Sequence, residues 1–445
     1  MALTKSVSFF VGWLLSKRRF TAAVVLVPAL LATPQVAALP SPAGHGKLHL
    51  VVRPSISLST QPLSIRISGL RPGQRVSLTV TSVDWHGIAW RSVGSYTAGP
   101  SGTVSPASVP SGGPSYTGVD AMGPVDFMAS SSKSEPLYFW GNGSQRFQFV
   151  ATSGAETATV TVQRSLGSPF RVTVETLGQE GFVGKYFVPT TPSRQMHAAV
   201  LVFGGSNGGL GSVLLAGALA AHGYPALDIA YFKEPGLPQT LEDIPLEYFA
   251  RALRWLGSRP GVDRARLWVD GVSRGSEAAL LLGAHYPGLV HGVVALVPSD
   301  AAICSYPGCA GPAWTFEGKP VPYTSQFDDP HPTDDPAAVI PVAKIQGPVF
   351  LDCGGYDQVW SSCPYAHAIM AELAAAHDRY PHVLMVSQGG GHGSALFIPP
   401  YEPGAAEAAW ATRSSPRLNV AGETALADDL AWAAQWPRFM EFLQN

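Results

Sequence analysis

Charge is scarce in this chain. Only 13% of its 445 residues are Asp, Glu, Lys or Arg, with a formal net charge of −2; no basic tract is present to track phosphates, and nucleic acid is not expected as a partner. Cysteine is scarce too. The four cysteines form two close pairs, Cys304 with Cys309 and Cys353 with Cys363, neither in C-x-x-C spacing nor beside a histidine, so no metal site is expected. A long uninterrupted apolar run is also missing. The nearest thing to one, "FTAAVVLVPALLA" at 20–32, contains Pro28 and is shorter than the roughly 18 residues that span a bilayer.

What stands at the N-terminus instead is the pattern of an export signal. Lys17, Arg18 and Arg19 precede the apolar stretch, and "VAA" at 36–38 offers small residues for cleavage. Residues 1–38 are therefore expected to be removed on export to the periplasm or beyond, leaving no stable membrane span. An uncleaved anchor is the lesser alternative. Arg18-Arg19 followed by Phe20 points to the twin-arginine route. The paired cysteines suit an oxidising compartment as candidate disulfides Cys304–Cys309 and Cys353–Cys363, although four cysteines permit three pairings.

The remaining length is ample for two cores. From 47 to 168 short segments alternate apolar and polar residues: in "RVSLTVTSV", Val76, Leu78 and Val80 share one face. Turn signals such as "RPGQ" separate them and no helix is expected, which describes an antiparallel β-sandwich of immunoglobulin-like size. Trp85 and Trp90 read as core or interface residues, and no acid or base stands out. From 169 to 445 the pattern changes. "HAAVLVFGG" and "YPALDIAYF" are apolar throughout, and alternate with helical stretches such as "SVLLAGALAAHG" and "TLEDIPLEYFARALRWLGSRPG". Such alternation describes a mostly parallel sheet with helices on both faces.

"ARLWVDGVSRGSEAALLLG" reads as strand, tight turn and helix, with G-x-S-x-G at Gly271, Ser273 and Gly275. Such a turn projects a serine from a strand tip, and its neighbours must be tiny to let the helix pack close. A serine hydroxyl needs a base, and the base needs an orienting acid, in the chain order Ser, acid, His. Asp357 lies on the loop after "GPVFLDCGG", with Asp352 as a rival at the strand end. His392 follows the last apolar strand among small residues. Oxyanion donors are expected from the backbone N–H of Arg274 and from Gly205 or Ser206 in "VFGGSNGG". The chemistry calls on no cofactor.

Several long motifs, in order, extend this reading: "GSYTAGPSGTVS", "GVDAMGPVDFM", "PLEYFARALRWLGSRPGV", "GVSRGSEAAL", "GGYDQVWSS", "GGHGSALFIPPY" and "DDLAWAAQWPRFMEFL". With them the chain resembles the acyl-CoA thioesterase and bile acid-CoA:amino acid N-acyltransferase family. The resemblance implies an immunoglobulin-like domain before an α/β-hydrolase domain, a triad of Ser273, Asp357 and His392, and a small-molecule acyl substrate. Two positions depart from the pattern: Arg274 and Ser276 replace the usual lysine and glycine. Serine in place of the cysteine of bile acid-conjugating relatives tilts the expectation toward hydrolysis, with acyl transfer to an amine as the runner-up. An exported binding protein without catalysis is the alternative of another class. Export itself sits awkwardly with a cytosolic donor such as acyl-CoA.

Overall fold

The computed structural model describes residues 46–132, 139–141, 143–191, 195–332, 334–377, 379–395, 399–404 and 425–445. The expected export signal, residues 1–38, lies outside the described residues. Among the described residues no helix is long and apolar enough to cross a membrane.

The first part of the chain is built mostly of β-strands. Strands β1 (His49–Arg53), β2 (Ile56–Leu58), β3 (Ser64–Ser68), β4 (Arg75–Val83), β5 (Ala89–Thr97), β6 (Ala129–Ser130), β7 (Ser144–Ser153) and β8 (Glu156–Ser165) form two sheets. One sheet pairs β1 with β3; the other runs β2-β8-β7-β4-β5-β6. Alternation decides which side chains are inside: Leu50, Val52, Ile65 and Ile67 are buried with Val76, Leu78, Val80, Phe147 and Phe149 in one core. One expectation is corrected here and another narrowed. A four-residue helix, α1 (Gly123–Asp126), does interrupt the strands, started by Pro124. Trp90 is in the core, but Trp85 is 53% exposed, because it sits at the β4–β5 turn.

The second half is built on an eight-stranded sheet. Its strands are β9 (Phe170–Glu175), β10 (Val183–Pro189), β11 (His197–Phe203), β12 (Ala226–Ala230), β13 (Val262–Val272), β14 (Gly292–Leu296), β15 (Val349–Gly354) and β16 (Val383–Ser387). Their order is β9-β10-β12-β11-β13-β14-β15-β16. The β9–β10 and β10–β12 pairs are antiparallel and the rest parallel. Helices α2 (Val213–Ala221), α3 (Leu246–Gly257), α4 (Arg274–His285), α5 (Ser362–Ala375) and α6 (Ala425–Phe442) cover it. Helix α3 begins later than its apolar pattern suggests. Ile244–Pro245 pair with Trp314–Thr315 instead of coiling, so the helix opens after Pro245.

The central strands are apolar on both faces because each face meets a different core. Ala199, Leu201 and Phe203 pack with α3, α4 and α5, whereas Ala198, Val200 and Val202 pack with α2 and α6. That second core continues without a break into the β-sandwich. Helix α2, "VLLAGALAA", is apolar all round and almost wholly buried as a result. Ser168 donates its N–H to Ala221 O at 2.9 Å, sealing the seam. The described residues therefore form one compact unit.

Candidate active site

Ser273 stands where β13 ends and α4 begins, with φ 57° and ψ −124°. A non-glycine residue there carries backbone strain of about 1–3 kcal/mol, maintained only because its surroundings fix it. Those surroundings are the tiny residues of G-x-S-x-G. A Cβ on Gly271 would lie 2.2 Å from Gly275 O, and one on Gly275 would lie 2.5 Å from Gly204 O. No side chain fits at either position.

Ser273, Asp357 and His392 come together at the carboxyl ends of the parallel strands. His392 Nε2 lies 2.9 Å from Ser273 Oγ, and His392 Nδ1 lies 2.9 Å from Asp357 Oδ2 and 3.0 Å from Oδ1. An ionised carboxylate only accepts, so Nδ1 carries the hydrogen and Nε2 is left to accept from the serine hydroxyl. Asp357 Oδ1 also accepts the N–H groups of Val359 at 3.0 Å and Trp360 at 3.4 Å. The aspartate thus caps a local turn and orients the histidine at once. Its side chain is 1% exposed and that of His392 19%. Trp360 sets its ring edge-on to His392 at 5.8 Å and donates Nε1–H to Val297 O at 3.0 Å. Asp352 is buried inside β15 and is not the acid beside His392.

The expected oxyanion donors come from two chain segments next to the serine. Arg274 opens α4, where the first N–H groups have no intrahelical acceptor. Gly205 passes so close that a Cβ there would lie 2.9 Å from Ser273 Cβ and 3.3 Å from its Oγ. Ser206 follows on the same turn. Tyr231, fully buried, donates its hydroxyl to Gly204 O at 2.8 Å and to Gly205 O at 3.2 Å, which fixes the turn.

Sequence reasoning missed what the Arg274 side chain does. It turns away from the serine into the core, pairs with Glu277 at 2.8 Å and donates to Cys304 O at 2.9 Å and Ile303 O at 2.7 Å. Glu277 Oε2 accepts from Trp314 Nε1 at 2.8 Å and Ile303 N at 3.2 Å. Burial pushes the Glu277 carboxyl up, while Arg274 opposes the rise. The i, i+3 spacing of the pair was the available signal. Both cysteine pairs are disulfides. Cys304–Cys309 closes the loop that Arg274 holds, and Cys353–Cys363 brackets the Asp357 loop.

Also missed were the buried acids of the β-sandwich. Asp120 and Asp126 meet Asp429 of α6, offering one oxygen each within 4.8 Å of one another. This is the group, among the described residues, that could hold a metal ion. Burial pushes all three carboxyls up, Asp126 and Asp429 well above the ordinary carboxylate range.

A mostly parallel sheet, a strained serine at a strand-to-helix turn and a histidine–aspartate pair beside it define an α/β hydrolase. The profile described as acyl-CoA thioester hydrolase/BAAT N-terminal region matches residues 60–176. That described as BAAT / acyl-CoA thioester hydrolase C terminal matches 244–308 and 313–445. The chain belongs to this family of enzymes. It is 28% identical over 378 residues to acyl-coenzyme A amino acid N-acyltransferase 2 of Rattus norvegicus, covering 80% of this chain and 88% of that protein. It is also 28% identical over 364 residues to acyl-coenzyme A thioesterase 6 of Mus musculus, covering 77% and 84%. An α/β hydrolase from a Medee basin deep-sea metagenome library superposes with a TM-score of 0.40 at 17% identity, over 62% of this chain and 99% of that one.

Proposed function

We propose that the protein is a serine acyl hydrolase that cleaves an acyl thioester or ester through an acyl-serine intermediate. One observation carries the reading: Ser273 Oγ, His392 and Asp357 are hydrogen-bonded in series, at 2.9 Å on either side of the imidazole. His392 Nε2 takes the hydroxyl proton as Ser273 Oγ attacks the acyl carbonyl. Asp357 holds the Nδ1–H tautomer and stabilises the imidazolium. The oxyanion is received by the N–H of Arg274 and by the Gly205–Ser206 turn. His392 then protonates the leaving thiol or alcohol, and in the second half removes a proton from the water that releases the acid.

Serine as nucleophile favours water over an amine as the acyl acceptor, since an acyl-serine ester is less reactive toward amines than a thioester. The amino acid N-acyltransferase among the relatives supports the second reading, transfer to an amine. A panel of acyl-CoAs, short and long esters and amides, offered to wild type and Ser273→Ala with and without glycine or taurine, separates the two. Free acid from wild type alone supports hydrolysis; conjugated product selects transfer. No turnover anywhere sinks both.

The protein works as two domains, 47–168 shaping the pocket mouth and 169–445 carrying the chemistry, after export and removal of residues 1–38. Two disulfides support the export reading. Fractionating the native host for the mature chain tests it, and recovery of an intact N-terminus in the cytosol would count against it.

A further inference from the structure

The base loop, "SQGGGHGSA" at 387–395, has three consecutive glycines before His392 and few side chains of its own to pack. Its shape must come from outside. The outside is one face of α6, whose residues Asp428, Trp432 and Gln435 recur at helical spacing. Asp428 Oδ1 accepts the N–H of Gly391 at 3.1 Å. Trp432 Nε1 donates to Gly393 O at 3.1 Å and Ala395 O at 3.0 Å. Gln435 Nε2 donates to Ser394 O at 3.0 Å and Ser387 Oγ at 3.1 Å. These contacts grip the backbone on both sides of His392 while leaving its imidazole to Asp357 and Ser273.

The same face then runs on into the core through Phe439 and Phe442. Phe439 packs on Phe350 at 6.1 Å, and Phe442 packs on Trp268 at 5.1 Å and Phe350 at 5.4 Å. The helix is thereby seated on β13, the strand that ends at Ser273, and on β15, the strand that leads to Asp357. One residue round the helix, Asp429 meets Asp120 and Asp126 of the β-sandwich. Serine strand, acid strand, base loop and sandwich all converge on α6.

We infer that α6 is the positioning element of the proposed hydrolase, with Asp428, Trp432 and Gln435 holding the base loop so that His392 Nε2 stays within hydrogen-bond reach of Ser273 Oγ. The inference rests on the nucleophile reading above and assigns none of the three residues to the chemistry itself. Displacing a reacting group by about 1 Å costs on the order of 100-fold in rate, so loosening the loop acts on turnover rather than on substrate binding.

The test uses the full chain and four variants: Trp432→Phe, Gln435→Met, Asp428→Ala and Asp428→Asn. Each is assayed for kcat and KM on a p-nitrophenyl ester, for the rate of Ser273 labelling by a fluorophosphonate, and for thermal midpoint. Trp432→Phe and Gln435→Met keep a buried side chain of similar character or length while removing the donating N–H, together with part of the indole volume in the first case and the amide oxygen in the second. Both are expected to lower kcat and labelling by roughly 10- to 100-fold, with KM within about twofold, in protein still folded at the assay temperature. Asp428→Ala is expected to behave likewise, whereas Asp428→Asn, which still accepts from Gly391, retains most of the activity. A merely structural role lowers the midpoint and leaves the kcat of the folded fraction alone. Folded Trp432→Phe and Gln435→Met with wild-type kcat overturn the positioning role while the nucleophile reading stands. A wild type that hydrolyses the ester but does not label at Ser273 overturns both.

Discussion

The acid loop and the base loop solve one problem in opposite ways. Asp357 lies on a loop that is closed covalently, because Cys353 at the end of β15 is bonded to Cys363 at the start of α5, ten residues on. His392 lies on a loop with no covalent tie of its own. Its backbone is held by hydrogen bonds from α6, thirty-seven residues or more away in sequence. The two loops also hold each other: Gly355 and Tyr356 donate their N–H groups to Ser387 O and Gly390 O, both at 2.9 Å. A Cβ on Gly354 would lie 2.2 Å from Gly391 O. A disulfide constrains chiefly the unfolded chain, whereas a helix face constrains only the folded one. The Asp357 loop is therefore closed by a local covalent ring, and the His392 loop by contacts that exist only once the domain has folded.

Changes at the reacting groups set the scale against which that contrast is measured. Ser273→Ala is expected to reduce kcat/KM by about 10⁴-fold or more and to abolish fluorophosphonate labelling. Residual turnover within about tenfold of wild type would place the nucleophile elsewhere. Next comes Asp357→Asn, with an expected loss of about 10³- to 10⁴-fold, since the amide can no longer fix the required imidazole tautomer. Unchanged kcat in that variant would mean that the carboxylate only caps its turn.

The contrast itself is probed by removing the staple. Cys353→Ser with Cys363→Ser is expected to cost roughly 2–3 kcal/mol of stability, the loop-closure value for a short ring, seen as a lower midpoint in urea unfolding. Cys304→Ser with Cys309→Ser should cost a similar amount. Only the first pair is expected to lower kcat, because only that ring contains the acid; equal kcat losses in both would erase the distinction.

A smaller effect on turnover is expected where the chain beyond the base loop meets the β-sandwich. Glu402 is buried there and accepts a hydrogen bond from Trp140 Nε1. Burial pushes its carboxyl from the ordinary 4.5 to about 8, against the pull of Trp140 and Arg164. The folded chain thus keeps a proton that the unfolded chain sheds above 4.5. Stability from this group is complete below that value and is lost as pH rises toward about 8, with a slope approaching 1.4 kcal/mol per pH unit. Glu402→Gln should flatten that part of the stability curve between pH 5 and 8 and leave kcat unaltered. Thermal midpoints at half-unit pH steps are the measurement, and an unchanged slope would show that Glu402 does not hold the proton.

Much of this was legible beforehand, for a local reason. The sandwich alternation, the apolar parallel strands and the turn at Ser273 are patterns within ten or twenty residues, and the order Ser, Asp, His follows from where strand ends gather in such a sheet. Choosing Asp357 over Asp352 needed only the difference between a loop and a strand interior. The start of α3 was misplaced because an amphipathic pattern does not reveal that Ile244–Pro245 will pair with Trp314–Thr315. Of the two places expected for Trp85, the core is excluded, because a turn can leave any side chain outside.

By itself the sequence determined the two architectures and singled out Ser273, Asp357 and His392, which the fold brings together, since each is written in short-range periodicity and motif. Only the tertiary structure decided what surrounds them: the Arg274–Glu277 pair behind the elbow, the meeting of Asp120 and Asp126 with Asp429, Trp140 donating to Glu402, and the grip of α6 on the loop of His392. Most of these contacts join residues far apart in the chain, and none follows from the spacing of one motif. Their energies come from burial and from hydrogen-bond satisfaction, which exist only after the chain has packed.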